Sequence, residues 1–214
     1  AALRLKGTLD VAALEHAFNQ LIARHEALRT TFVVDNEHPR QIIADQAPLA
    51  LVVETLNGTP DDATIKAFVE HETRQLFDLQ NGPLLRVRLL RLADDEHVLV
   101  LTQHHIVSDG WSVPLMVEEL ISLYGAAQSG QPHALAPLPI QYADYAAWQR
   151  QWMQAGERER QLAYWTGQLA GEHSVLELPT DRPRPAEQSY RGAHLSITLA
   201  PGLGDIPRTK DRTA

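Results

Sequence analysis

The chain has 214 residues, 44% of them hydrophobic, a formal net charge of −8 and no cysteine. That apolar content suffices for a sizeable core, and the acidic balance argues against nucleic acid as a partner, since phosphate neutralisation needs clustered Lys and Arg. The missing thiols exclude disulfides, thiolate metal sites and a cysteine nucleophile, while the lack of any apolar run near ~20 residues and of a signal-like start at Ala1-Ala2-Leu3-Arg4 leads us to expect a cytoplasmic chain with no membrane partner.

Asp10 suits the N-cap of a first helix. Leu14, Ala17, Phe18, Leu21, Ile22 and Leu28 then recur at helical spacing, a stripe that carries the helix through Ala27. Residues 29–34 are β-branched and aromatic and read as a strand, with a turn over 35–39 and a return strand over 40–44. Residues 49–56 are a further strand, closed by Asn57-Gly58. A second helix is expected over 61–76, its acidic first turn complementing the dipole. Asn81-Gly82-Pro83 breaks the chain, and residues 84–92 and 97–103 form a hairpin around Asp94-Asp95-Glu96.

Beyond Ser112 a helix reaches to about Gln128, with Leu115, Met116, Glu119, Leu120 and Leu123 in register. A loop covers 129–139, and two more helices fall near 140–154 and 157–169. Leu178-Pro179-Thr180-Asp181-Arg182-Pro183-Arg184-Pro185 is too proline-rich for helix or central strand and reads as an extended linker. One more strand is expected over 192–199 and a disordered tail over 201–214. Strands and helices in this order indicate an α+β two-layer sandwich rather than a doubly wound parallel fold. The expected organisation is a lobe over 1–170, a proline-rich crossover with one strand over 171–200, and the tail.

The chemistry concentrates in His104-His105-Ile106-Val107-Ser108-Asp109-Gly110-Trp111-Ser112, after the apolar run Val98-Leu99-Val100-Leu101. The run reads as a half-buried strand, so neighbouring histidines point to opposite faces and only one of them faces a given cavity. An imidazole at a strand end suits proton transfer near neutral pH. Metal binding is disfavoured, because helical spacing of His ligands is absent and no cysteine completes a soft site.

Arg24-His25-Glu26-Ala27-Leu28-Arg29-Thr30-Thr31-Phe32, the histidine motif, Tyr142-Ala143-Asp144-Tyr145-Ala146-Ala147-Trp148 and Leu178 to Pro183 follow one another in the chain. Together they resemble the ordered motifs of condensation domains of nonribosomal peptide synthetases. The resemblance implies a chloramphenicol acetyltransferase-like lobe with a mixed, largely antiparallel sheet. It implies amide-bond formation between a donor thioester and an acceptor amine. Both substrates ride on phosphopantetheine arms of carrier proteins, no cofactor is bound directly, and an adenylation domain belongs to the parent synthetase.

By the same resemblance His105 faces the active-site tunnel, as general base or as the group that orients the amine and stabilises the tetrahedral intermediate. Asp109 turns away and pairs with an arginine, Arg29 being the candidate and Arg24 the alternative. His104 is a support residue. Gly110 permits a tight turn and brings its N–H toward the thioester oxygen. Trp111 and Ser112 pack or cap the next helix, with substrate contact as their other reading. The Ser108 to Ser112 wording resembles domains that join two L-configured residues.

A full condensation domain is about twice this length, with two similar lobes. The sequence begins after the family's first motif, and the second lobe and its motifs are absent, so the chain alone is expected to be inactive. A carrier-protein-binding remnant without turnover and a stand-alone acyltransferase of the same motif group stand as alternatives.

Overall fold

In the computed structural model, which describes residues 1–56, 61–171, 177–189, 192, 195, 197 and 198, the chain opens with a strand the sequence did not mark, β1 (Ala2–Lys6). It pairs antiparallel with β6 (Glu96–Gln103), from Ala2 opposite Val100 to Lys6 opposite Glu96. Its Leu5 packs on the main core, while Arg4 reaches Asp62 at 2.9 Å and Glu96 at 3.5 Å. Leu3 and Leu5 alternating with Arg4 and Lys6 are the strand signal here, but over five residues it is too short to stand without its partner.

Helix α1 (Val11–Arg24) starts as expected, with the Asp10 carboxylate accepting the Ala13 N–H at 2.9 Å. It ends three residues earlier than the stripe suggests, at Arg24. His25 is extended (φ −105°, ψ 105°), and a single 3₁₀ turn, Glu26–Arg29, buries Leu28. The cause lies far along the chain. The Gln141 side chain donates to the Arg24 carbonyl at 3.0 Å and accepts the Glu26 N–H at 3.1 Å. Both backbone groups at the break are thereby satisfied.

Strands β2 (Thr30–Asp35) and β3 (His38–Ile43) form a separate two-stranded hairpin. Its turn is shorter than residues 35–39: only Asn36 and Glu37 lie between the strands, at φ 47° and 65°, the left-handed pair that a tight hairpin needs. Strand β4 (Val52–Thr55) runs parallel to β5 (Leu85–Ala93), and β5 pairs antiparallel with β6, giving the order β1-β6-β5-β4. Asn57-Gly58 lies outside the described residues.

The α+β class and the mixed, largely antiparallel sheet stand as expected. Leu89, Leu99 and Leu101 face Phe18 and Leu21 of α1 and Met116 and Leu123 of α3 (Ser112–Ser129). The alternate positions Leu90, Val98 and Val100 meet Ile65, Phe68 and Val69 of α2 (Asp62–Arg74). Helices thus cover both faces of this sheet, one layer more than expected. The run Val98 to Leu101 is accordingly buried on both sides and is not half-buried, which explains why its four residues are all apolar.

Helix α3 ends at Gly130 in the left-handed conformation (φ 64°) that favours glycine. Helix α4 (Tyr142–Trp152) begins at a reciprocal cap between Gln141 and Asp144. Where two separate helices were expected, α4 runs through a π turn, Met153–Glu157, into α5 (Arg158–Gln168), with Gly156 (φ 107°) at the kink.

The chain divides into two units, residues 1–165 and 166–214. The second has no helix or strand over residues 177–189. The strand expected over 192–199 falls largely outside the described residues, as does the tail. No helix among the described residues is long and apolar enough to cross a membrane.

Candidate functional site

Past Gln103 the backbone still follows the sheet, with the His104 N–H donating to the Leu84 carbonyl at 3.0 Å. The two histidines then serve different surroundings. His104 stands edge-on to Phe77, ring centroids 5.8 Å apart at 87°, and its Nδ1 accepts the Ile106 N–H at 3.0 Å. That bond leaves Nε2 to carry the hydrogen in the neutral ring. His105 is exposed and lines a cleft of about 250 Å³ together with His25, Gln103, Ser108, Asp109, Ser112 and Tyr142.

The loop carrying His105 is tied at both ends. Gln103 accepts the Ser108 hydroxyl at 3.1 Å, and its amide meets the Met116 sulfur at 3.2 Å. Asp109 Oδ1 accepts the Ser112 hydroxyl at 2.7 Å, the Ser112 N–H at 2.9 Å and the Trp111 N–H at 3.0 Å. These bonds place a carboxylate on the first amides of α3, where unpaired N–H groups and the dipole favour negative charge. They hold the Asp109 carboxyl below its ordinary range, the Ser112 hydroxyl contributing most, with a smaller pull from His105.

The arginine expected on Asp109 is elsewhere. Arg29 donates to the Ala44 carbonyl and lies 3.4 Å from Glu26, while Arg24 pairs with Glu119. Among the described residues no ion pair joins Asp109 to an arginine; its Oδ1 is bonded instead to Trp111 and Ser112 at the start of α3. Gly110 needs neither a positive φ nor space: a Cβ there would meet nothing within 4 Å. It does sit in a tight turn, closed by the Ser112 N–H donating to the Asp109 carbonyl at 3.2 Å, but nothing in that turn requires glycine. Trp111 neither packs nor lines the cleft and stands 91% exposed. Ser112 is the first residue of α3 and lines the cleft, its hydroxyl donating to Asp109 at 2.7 Å.

Sequence reading missed Glu119. It is buried (6% exposed) on α3, with Oε1 3.1 Å from Arg24 Nε and Oε2 2.5 Å from His25 Nε2. The signal was available: a carboxylate in register with Leu115, Met116, Leu120 and Leu123 requires a cationic or donor partner. Arg24-His25 supplies both, and its imidazole shares the His105 cleft. Gln103 and Gln141, which fix the loop and the α1 break, carry no such local signal. Among the described residues no group of three or more His, Asp or Glu is placed to hold a metal ion.

The model of the condensation domain family matches residues 1–209. Malpibaldin synthetase of Mortierella alpina is 47% identical over 201 residues, 93% of this chain but 4% of that protein. Chondramide synthase cmdD of Chondromyces crocatus is 43% identical over 202 residues, 93% of the chain and 5% of its own length. The chain thus spans a small fraction of the curated relatives it matches. Among solved structures, the X-domain from teicoplanin biosynthesis in complex with OxyB superposes with a TM-score of 0.76 at 41% identity, covering 89% of this chain and 42% of that one. The starter condensation domain of rhizomide synthetase RzmA gives 0.72 at 24% identity over 80% and 42%, a likeness of fold alone. With the family model spanning nearly the whole sequence and these synthetases 43–47% identical over 93% of it, the chain belongs to the condensation domains of nonribosomal peptide synthetases.

Proposed function

We propose that this chain supplies the histidine-bearing part of a domain that forms an amide between a carrier-tethered donor thioester and a carrier-tethered acceptor amine, both residues being L-configured. The observation that carries the reading is His105, presented to the cleft by a loop tied through Gln103 and Asp109. The α-ammonium of an acceptor, with a pKa of ~7.7–8.0, needs only modest help to become nucleophilic. Much of the acceleration then comes from holding amine and activated thioester together. His105 accepts a proton from the attacking nitrogen and passes it to the departing sulfur. Carrier proteins with their phosphopantetheine arms, the rest of the condensation domain, an adenylation domain in the same synthetase and a cytoplasmic setting accompany this reading.

The test uses the complete condensation domain containing this segment, with donor- and acceptor-loaded carriers and mass spectrometry of the acceptor carrier. Dipeptidyl product from the parent domain is expected, and its loss in His105→Ala with an unchanged melting curve. Undiminished turnover in His105→Ala would remove His105 from this role.

One observation favours a second reading, a protein-docking domain without turnover. The similar X-domain is described in complex with OxyB. Carrier or partner binding with no amide product from the complete parent domain would select it.

A further inference from the structure

The Arg24-His25-Glu26 motif places a second imidazole on the His105 cleft, and the mechanism above leaves it without a task. We propose that His25, held by the buried carboxylate of Glu119, is a second proton acceptor in this cleft and takes the first proton from the acceptor ammonium. The inference rests on the amide-forming reading.

The geometry fixes the ring. His25 occupies the extended break between α1 and the 3₁₀ turn, and its Nε2 lies 2.5 Å from Glu119 Oε2. A carboxylate accepts only, so the neutral imidazole carries its hydrogen on Nε2 and keeps the Nδ1 lone pair. Nδ1 makes no hydrogen bond among the described residues, while the ring lines the cleft. An acceptor lone pair backed by a fixed carboxylate is the arrangement in which an imidazole gains a proton readily. Glu119 is fixed because Arg24 holds its other oxygen.

The other ionisable groups around this ring are Arg24 and Glu26 on its own segment, Asp109 and His105 on the loop after β6, and Tyr142 at the start of α4.

The proton count asks for two acceptors. The ammonium gives one proton to His25 Nδ1 and becomes the free amine. Its lone pair forms the C–N bond at the thioester carbonyl. On collapse the C–S bond breaks, the second nitrogen proton travels through His105 to the sulfur, and His25 releases its own to solvent. Ammonium plus thioester yields amide, thiol and one proton.

The experiment compares condensation rates from pH 6.5 to 9.5 in the complete domain for the parent, His25→Gln and Glu119→Gln, with melting curves for each. Glutamine at 25 can still donate to Glu119, which preserves the fold. We expect the His25→Gln rate to fall about tenfold per pH unit below ~7.7–8.0, where free amine becomes scarce. It should converge on the parent rate near pH 9.5, where the parent profile is flatter. Glu119→Gln shifts the same way by less. A loss equal at every pH, or no loss, overturns the proposal while parent turnover leaves the amide-forming reading intact. A parent domain that makes no amide overturns both. Should His25→Gln melt early, His25→Asn and Glu119→Gln give the same readout.

Discussion

The carboxylate of Asp109 accepts both the N–H and the hydroxyl of Ser112, at 2.9 and 2.7 Å, so the aspartate of the histidine motif is the cap of the helix that follows. Its folded-state pKa lies below the ordinary value. The stabilisation is therefore present above the unfolded carboxylate range and is lost as pH falls through the folded value. Asp109→Asn should lower the melting temperature at pH 7, with the gap to the parent closing under acid. A gap that persists at pH 2 would place its cause outside this carboxylate.

Removing the buried Glu119 leaves the half-buried Arg24 guanidinium without its carboxylate. Breaking such a pair from one side costs about 3–5 kcal/mol, so Glu119→Ala should unfold at markedly lower urea concentration with an unchanged slope. A shift below about 1 kcal/mol would mean that water reaches the guanidinium.

Gly110→Ala should leave stability within about 0.5 kcal/mol, since its Cβ enters open space. A fall in turnover without a fall in melting temperature would then locate the glycine beside the substrate. Early melting would show that the loop is packed more tightly than this open space implies.

Leu89 is fully buried between the sheet and α1, and its truncation to alanine should cost about 2–5 kcal/mol by urea titration. A smaller cost would indicate that the core around Phe18 closes over the gap.

Tyr142, Tyr145, Trp148 and Trp152 form a ladder along α4, with neighbouring rings 5.9, 5.7 and 5.5 Å apart. All four are exposed. Apolar faces of this kind drive association, and light scattering of the isolated chain should show assemblies that Trp148→Ser with Trp152→Ser reduces. A clean monomer at high concentration would count against this.

What was legible in the sequence was local. Asp10 names its own cap, the Asp94-Asp95 turn pairs β5 with β6, and the apolar run points at His105. What was hidden depends on distant partners. β1 is recognisable only beside β6, and the end of α1 only beside Gln141. The Asp109–arginine pair implied by the family resemblance has no local signal, and here Oδ1 of that carboxylate bonds the start of α3. Glu119 lies between the two cases, since its register marked it as buried while its partners sat on another helix.

The Gln141 bridge bears on how domains of this kind can be recombined. One side chain joins the carbonyl of Arg24 to the N–H of Glu26 across more than a hundred residues, and it also opens α4. A chimera with its crossover between residues 29 and 140 would take a helix from one parent and that helix's terminator from the other. Exchange boundaries that keep Arg24, Glu26 and Gln141 together move the cleft wall as one inherited block.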